Sequence, residues 1–168
     1  MQQGANINEQ DSDGDTALSC ACWKNHTELV QILLQNKKIN VNLQDKYGSS
    51  PFYTACANDH YECVLMMLQD ARVDINVANT WGISPLMTAC YFGYTKTVKL
   101  LISFGRNIDI YEKSTKDNYF SGIKSGSTAL DLAKQRNKTD IVQLLQQYQN
   151  NPKETQKLWR NQLNLKGK

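Results

Sequence analysis

Asp45-Lys46-Tyr47-Gly48-Ser49-Ser50-Pro51-Phe52-Tyr53-Thr54-Ala55 is the stretch whose reading decides the fold. Ser50 followed by Pro51 predicts the start of a helix. A hydroxyl at the N-cap accepts from backbone N–H groups that have no partner in the first turn, and proline at the first helical position gives up no hydrogen bond. The same phrase recurs around Gly14, Gly48 and Gly82, each 34 residues from the next, and around Gly126 after a further 44. Two residues beyond each glycine stand Thr16, Ser50, Ser84 and Thr128, followed by Ala17, Pro51, Pro85 and Ala129. Periods of this length mark stacked supersecondary units.

Working outward, Leu18, Phe52, Leu86 and Leu130 share a helical face with Ala21, Ala55, Ala89 and Ala133, whose small side chains permit close helix contact. Asn25, Asp59, Gly93 and Asn137 then tolerate the left-handed backbone that ends a helix, so the first helix of each unit spans about two turns. A second helix carries a buried stripe through Val30, Val64, Val98 and Val142 and, three residues on, Leu33, Met67, Leu101 and Leu145. Alternation in Ile39–Asn42, Val73–Asn76 and Asn107–Ile110 predicts a hairpin arm after each of the first three. One helix–turn–helix with an arm cannot bury its own apolar face, so neighbours must stack. The reading is an all-α repeat solenoid.

Four registered copies over about residues 4–147 resemble the ankyrin repeat, whose motif opens on Asp-Gly-Thr-Pro-Leu-His-Ala and closes on Gly-Ala-Asp-Val-Asn. The resemblance implies stacked helix-turn-helix units with hairpin arms, and a module that binds another protein or peptide. Where the motif has histidine after Leu, this chain has Ser19, Tyr53, Met87 and Asp131, which removes a hydrogen bond to neighbouring backbone and predicts weaker coupling between repeats. The expected repeats are 11–44, 45–78, 79–122 and 123–150. Residues 1–10 read as the tail of a truncated upstream repeat, because Gly4-Ala5-Asn6-Ile7-Asn8 matches the closing phrase. That predicts a fragment, with the apolar face around Leu18 and Leu29 lacking a neighbour. At the other end, 151–168 reads as a basic capping helix and tail. It starts at Asn151-Pro152, carries Leu158, Trp159, Leu163 and Leu165, and ends near Lys166.

Composition excludes several functions. Of 168 residues, 40% are hydrophobic and no run approaches a bilayer span of about 20 residues, so membrane insertion is not expected. The total charge is +3, of which Lys153, Lys157, Arg160, Lys166 and Lys168 against Glu154 supply +4, leaving a body without the basic excess of a nucleic-acid binder. Five cysteines with no secretory signal place the chain inside the cell, in the cytoplasm, with free thiols. Cys22, Cys56 and Cys90 recur in register, about 10 Å apart in a stack of helices, too far for one metal shell, and read as small core residues. His26 and His60 occupy equivalent places and report the repeat. Neither metal, cofactor nor enzyme chemistry is expected.

The resemblance implies that a partner uses the arm tips and the exposed side of each first helix. Trp23, Tyr47, Trp81, Ile83, Tyr91 and Phe92 stand there, and large aromatics dominate interface energetics. Tyr47 and Trp81 are expected to be exposed, Trp23 and Tyr91 either exposed or packed against the next repeat, with the centre of the contact in the third repeat. Ten extra residues before Gly126 lengthen the arm through about 111–125 and add Tyr119 and Phe120. This insertion either folds over the third-repeat aromatics or stays a solvent loop. Two other roles stand beside simple recognition: a regulatory or substrate-recruiting part of a larger enzyme, and hydroxylation at Asn42 and Asn76, which the resemblance implies from their place at the close of an arm.

Overall fold

The computed structural model describes residues 6–165. Nine helices occur among them: α1 (Ala17–Trp23), α2 (Thr27–Gln35), α3 (Pro51–Ala57), α4 (Tyr61–Gln69), α5 (Pro85–Phe92), α6 (Thr95–Ser103), α7 (Ala129–Gln135), α8 (Thr139–Asn150) and α9 (Pro152–Gln162). The odd-numbered helices α1, α3, α5 and α7 stack as one layer, and α2, α4, α6 and α8 as a second. α9 packs on α6 and α8 of the second layer.

Local chemistry builds each unit as the spacing predicts. Thr16, Ser50, Ser84 and Thr128 are the N-caps of the first helices, each accepting from the backbone N–H three residues on. Asn25, Asp59 and Asn137 hold φ near +55° and Gly93 +93°, turning the chain into the second helix. The core is continuous from Leu18 through Phe52, Leu86 and Leu132 to Trp159, and Cys22, Cys56 and Cys90 are buried within it.

The residues that replace the motif histidine are not idle. Ser19 and Asp131 close reciprocal capping boxes with Thr16 and Thr128, and Asn79 of the next repeat donates to the Tyr53 hydroxyl at 3.0 Å. Of these contacts, the capping boxes lie within one helix each, and the Asn79–Tyr53 bond joins two repeats.

The arms differ from the expected hairpins. The described residues contain no strand ladder, only the single bridge Asn118–Ile123. Side-chain amides do the joining. The Asn42 amide donates to the Arg72 carbonyl (2.9 Å) while its Oδ1 accepts from the Asp74 N–H (2.8 Å). Asn76 does the same with the Asn107 carbonyl (2.8 Å) and the Asp109 N–H (3.1 Å). A neutral hydrogen bond contributes about 1 kcal/mol net. Asn42→Ala should therefore lower stability by about 1–2 kcal/mol in urea unfolding, and Asn36→Ala, whose amide bonds only its own turn, by clearly less.

Guanidinium groups finish the second helices from outside. Arg72 donates to the carbonyls of Leu34 (2.6 Å) and Asn36 (3.0 Å) at the end of α2. Arg106 reaches the Asp70 carbonyl (3.1 Å) after α4, and Arg160 of α9 the Phe104 carbonyl (3.2 Å) after α6. None of these three helices has a basic residue in its own last turn. Each C-terminal dipole is thus met by a cation from a following unit. α9 ends at Gln162 rather than near Lys166, which lies outside the described residues, as do Gly4 and Ala5.

Candidate binding surface

Glycines with φ between +71° and +84° turn the arm tips at Gly14, Gly48 and Gly82. Backbone bonds link successive tips: Lys46 N–H to the Asp13 carbonyl, Thr80 N–H to that of Tyr47, and Thr115 N–H to that of Trp81, each 2.9 Å. This staircase sets one side chain per repeat along an edge. Tyr47 is 52% exposed and its ring stacks on Trp81, with centroids 6.5 Å apart. Trp81, expected to be exposed, is half-buried because Tyr47 and the core cover part of it.

Two expected surface residues are core residues instead. Ile83 is 3% exposed. The Asn79 carboxamide accepts from the N–H groups of both Trp81 and Ile83 at 3.0 Å, closing a turn that brings the chain back to the helices at Ile83. Tyr91 is 7% exposed: its hydroxyl donates to the Ser121 carbonyl (2.7 Å), the Arg136 guanidinium lies 4.7 Å from its ring centroid, and Phe92 meets its ring edge-on. Ser121 and Arg136 are distant in sequence, so alternation and register alone could not place Tyr91.

The same contacts decide between the two readings of the insertion. Ser114 and Ser127 pair at its base, Asn118 and Ile123 pair higher up, Ile123 is buried, and Gln135 of α7 donates to the Gly122 carbonyl (2.9 Å). The segment is seated against α5 and α7. Its tip nevertheless presents Tyr119 and Phe120, 85% and 98% exposed. On α5, Phe92 is 47% exposed and stacks on Tyr94. Trp23, 55% exposed at the end of α1, carries the Lys24 ammonium 3.6 Å from its ring centroid. Tyr94 was not singled out by register, because the equivalent positions hold His26 and His60.

Asn42 and Asn76 are half-buried, with both ends of each carboxamide engaged by the following repeat.

Burial pushes the thiols of Cys22, Cys56 and Cys90 far above their ordinary range, where the nucleophilic thiolate is negligible. His60 spends its Nδ1 on the Cys22 carbonyl at 2.7 Å. Among the described residues no group of three or more His, Cys, Asp or Glu is arranged to hold a metal ion, and no helix is long and apolar enough to cross a membrane. Cys20 is the exposed thiol, its pKa raised by partial burial and by Asp15 and Asp11. Iodoacetamide on the native chain should modify Cys20 alone, and all five cysteines after denaturation; rapid native labelling at Cys56 would contradict the packed core.

A search among curated proteins finds no match to the chain. The model of the family described as ankyrin repeats (3 copies) matches residues 1–79 and 69–156. With nearly the whole stack matched and its helix pairs in register, the chain belongs to the ankyrin repeat family.

Proposed function

We propose that this chain is a recognition module, a scaffold, adaptor or targeting element, which binds a partner protein or peptide along its tips and first-helix edge. Ankyrin repeats are in general protein–protein interaction modules. The observation that carries the finer reading is the pair Tyr119 and Phe120, held almost fully in water on a segment that is itself hydrogen-bonded to α5 and α7. Rigid, exposed aromatic rings cost little entropy to bury on association and are the residue types of binding hot spots. Phe92, Tyr47, the exposed part of Trp81, and Trp23 add aromatic surface elsewhere on the array. Ile83 and Tyr91 support it from beneath.

The test is an affinity capture with the wild-type chain, identification of the captured protein by mass spectrometry, and titration of the purified pair. The double variant Tyr119→Ala/Phe120→Ala should bind at least about 30-fold more weakly, the equivalent of about 2 kcal/mol. Its melting temperature should be unchanged, since neither ring is buried. Equal affinity would remove the insertion from the binding surface.

A further inference from the structure

A groove separates the end of α9 from α4. The Arg160 guanidinium donates to the Phe104 carbonyl (3.2 Å) beside Gly105, where a Cβ would come 2.9 Å from the same nitrogen. Asn164, at φ +52°, then reverses the chain so that the Leu165 N–H reaches the Arg160 carbonyl (3.0 Å). Between this turn and α4 the groove encloses about 590 Å³, within the range of ligand pockets. Tyr61, Leu65, Phe104, Leu163 and Leu165 line it, each partly buried against the core. Register shows that the fold does not require the apolar groups of α4. Tyr61 stands where the other repeats have Thr27, Thr95 and Thr139, and Leu65 where they have Gln31, Lys99 and Gln143. Phe104 likewise stands where the first two repeats have Asn36 and Asp70, with Tyr148 in the fourth.

The rim of the groove is cationic. An adjoining hollow of about 400 Å³ shares Arg160 and Leu165 with it and adds Lys153 and Lys157, one turn apart on α9. Neither hollow is lined by a carboxylate, and among the described residues none of the three cations lies within salt-bridge distance of one. Glu154, the one acidic residue of α9, lines a separate hollow against α8 with Leu158. Helix α9 thus sorts its charges, and the cations gather beside the apolar groove.

We propose that this groove docks an acidic segment of a partner protein, whose large aliphatic or aromatic side chain enters between α4 and α9 while its carboxylates meet Lys153, Lys157 and Arg160. Charge complementarity identifies the occupant, since unpaired cations border an apolar floor. The site stands apart from the tips and the first-helix edge, because its residues come from the second layer and α9. A peptide fits it better than an anionic bilayer does. The apolar groups are recessed, whereas those that anchor a membrane protrude, and exposed Glu62 next to Tyr61 would repel lipid phosphate.

Selection of random dodecapeptides displayed on phage against the whole chain should enrich sequences that combine a large apolar residue with several Asp or Glu. A fluorescein-labelled enriched peptide should bind with an affinity that falls as salt rises. Tyr61→Thr/Leu65→Gln installs the residues with which the first and fourth repeats fold, and should weaken that peptide at least about tenfold. Lys153→Glu/Lys157→Glu, at two exposed positions, should do the same, while Arg160 is left in place because it caps α6. Tyr119→Ala/Phe120→Ala should leave this peptide's affinity unchanged, which separates the groove from the tip surface. The proposal is overturned if no acidic sequences are enriched, if the enriched peptides bind the groove variants as tightly as the wild type, or if only the tip variant loses them. It is also overturned if vesicles of phosphatidylcholine with about 30% phosphatidylserine bind the chain through Lys153 and Lys157 while no peptide does, which would make a bilayer the occupant.

Discussion

Gly82→Ala should destabilise the array by about 3–4 kcal/mol, whereas Gly126→Ala should cost only about 1 kcal/mol. Both glycines adopt left-handed backbone, φ +71° and +83°, a conformation that costs an alanine about 1–2 kcal/mol. What separates them is space. A Cβ on Gly82 would lie 2.5 Å from the Thr115 backbone nitrogen and 2.6 Å from its Oγ1, while one on Gly126 would meet nothing within 4 Å. Relieving the first contact means moving the base of the insertion and losing the Thr115-to-Trp81 backbone bond, which adds an overpacking cost of about 1–3 kcal/mol. Urea unfolding followed by circular dichroism measures both. Equal losses would mean that the tips are not packed as tightly as the bond staircase requires.

Trp159→Ala is the second large effect, with an expected loss of about 3–5 kcal/mol for removing a fully buried indole. Trp159 is 2% exposed in α9, a helix whose neighbour Leu158 is 47% exposed. Without the indole, α9 and its end keep only smaller holds: Thr155 on the Gln147 carbonyl (3.2 Å), Gln156 on that of Ile102 (3.1 Å), Arg160 on that of Phe104 (3.2 Å), and the partly buried Leu163 and Leu165. Hydrogen exchange should therefore show α9 and the end of α6 losing protection together, with α1 to α4 unaffected. Leu158→Ala should leave both protection and stability nearly unchanged. Loss of protection spread evenly over all repeats would contradict an array whose units touch only their neighbours.

Much of this architecture was legible in the residues, because the chemistry that specifies it is local. A hydroxyl before proline or alanine caps a helix wherever it occurs, and Asn25, Asp59 and Asn137 entered left-handed turns as their type allows. The apolar stripe from Val30 to Leu145 followed from helical period alone. The arms were legible only in part. Alternation in Ile39–Asn42 marked an arm, in which Ile39 and Val41 are buried, but it could not reveal that Asn42 would join the repeats through its side chain in place of a strand ladder.

The candidate surface was less legible, for a physical reason. Exposure of Tyr47, Phe92, Tyr119 and Phe120 follows from being on tips and helix ends. The burial of Tyr91 depends on where a ten-residue insertion settles, and that is fixed by Ser121, Gln135 and Arg136, which no repeat pattern ties to Tyr91. Ile83 failed differently: its neighbour Asn79 closes a turn with two N–H groups, and only the resulting geometry shows the side chain pointing in. Arg72 and Arg106 sit in register with each other, yet their target carbonyls belong to another repeat and leave no trace in spacing.

Those arginines give the array a direction. Each of the first three second helices depends for its C-terminal cation on a unit that comes later in the chain, so deleting a unit takes a charge from one that remains intact. Shortening from the C-terminus should then propagate backward as fraying: without Arg160 the end of α6 opens, and without Arg106 the end of α4. Shortening from the opposite side removes no such cation from the survivors. A set of nested deletions, or a pulling experiment that grips one terminus at a time, would reveal a molecule that unzips more readily from its tail than from its head.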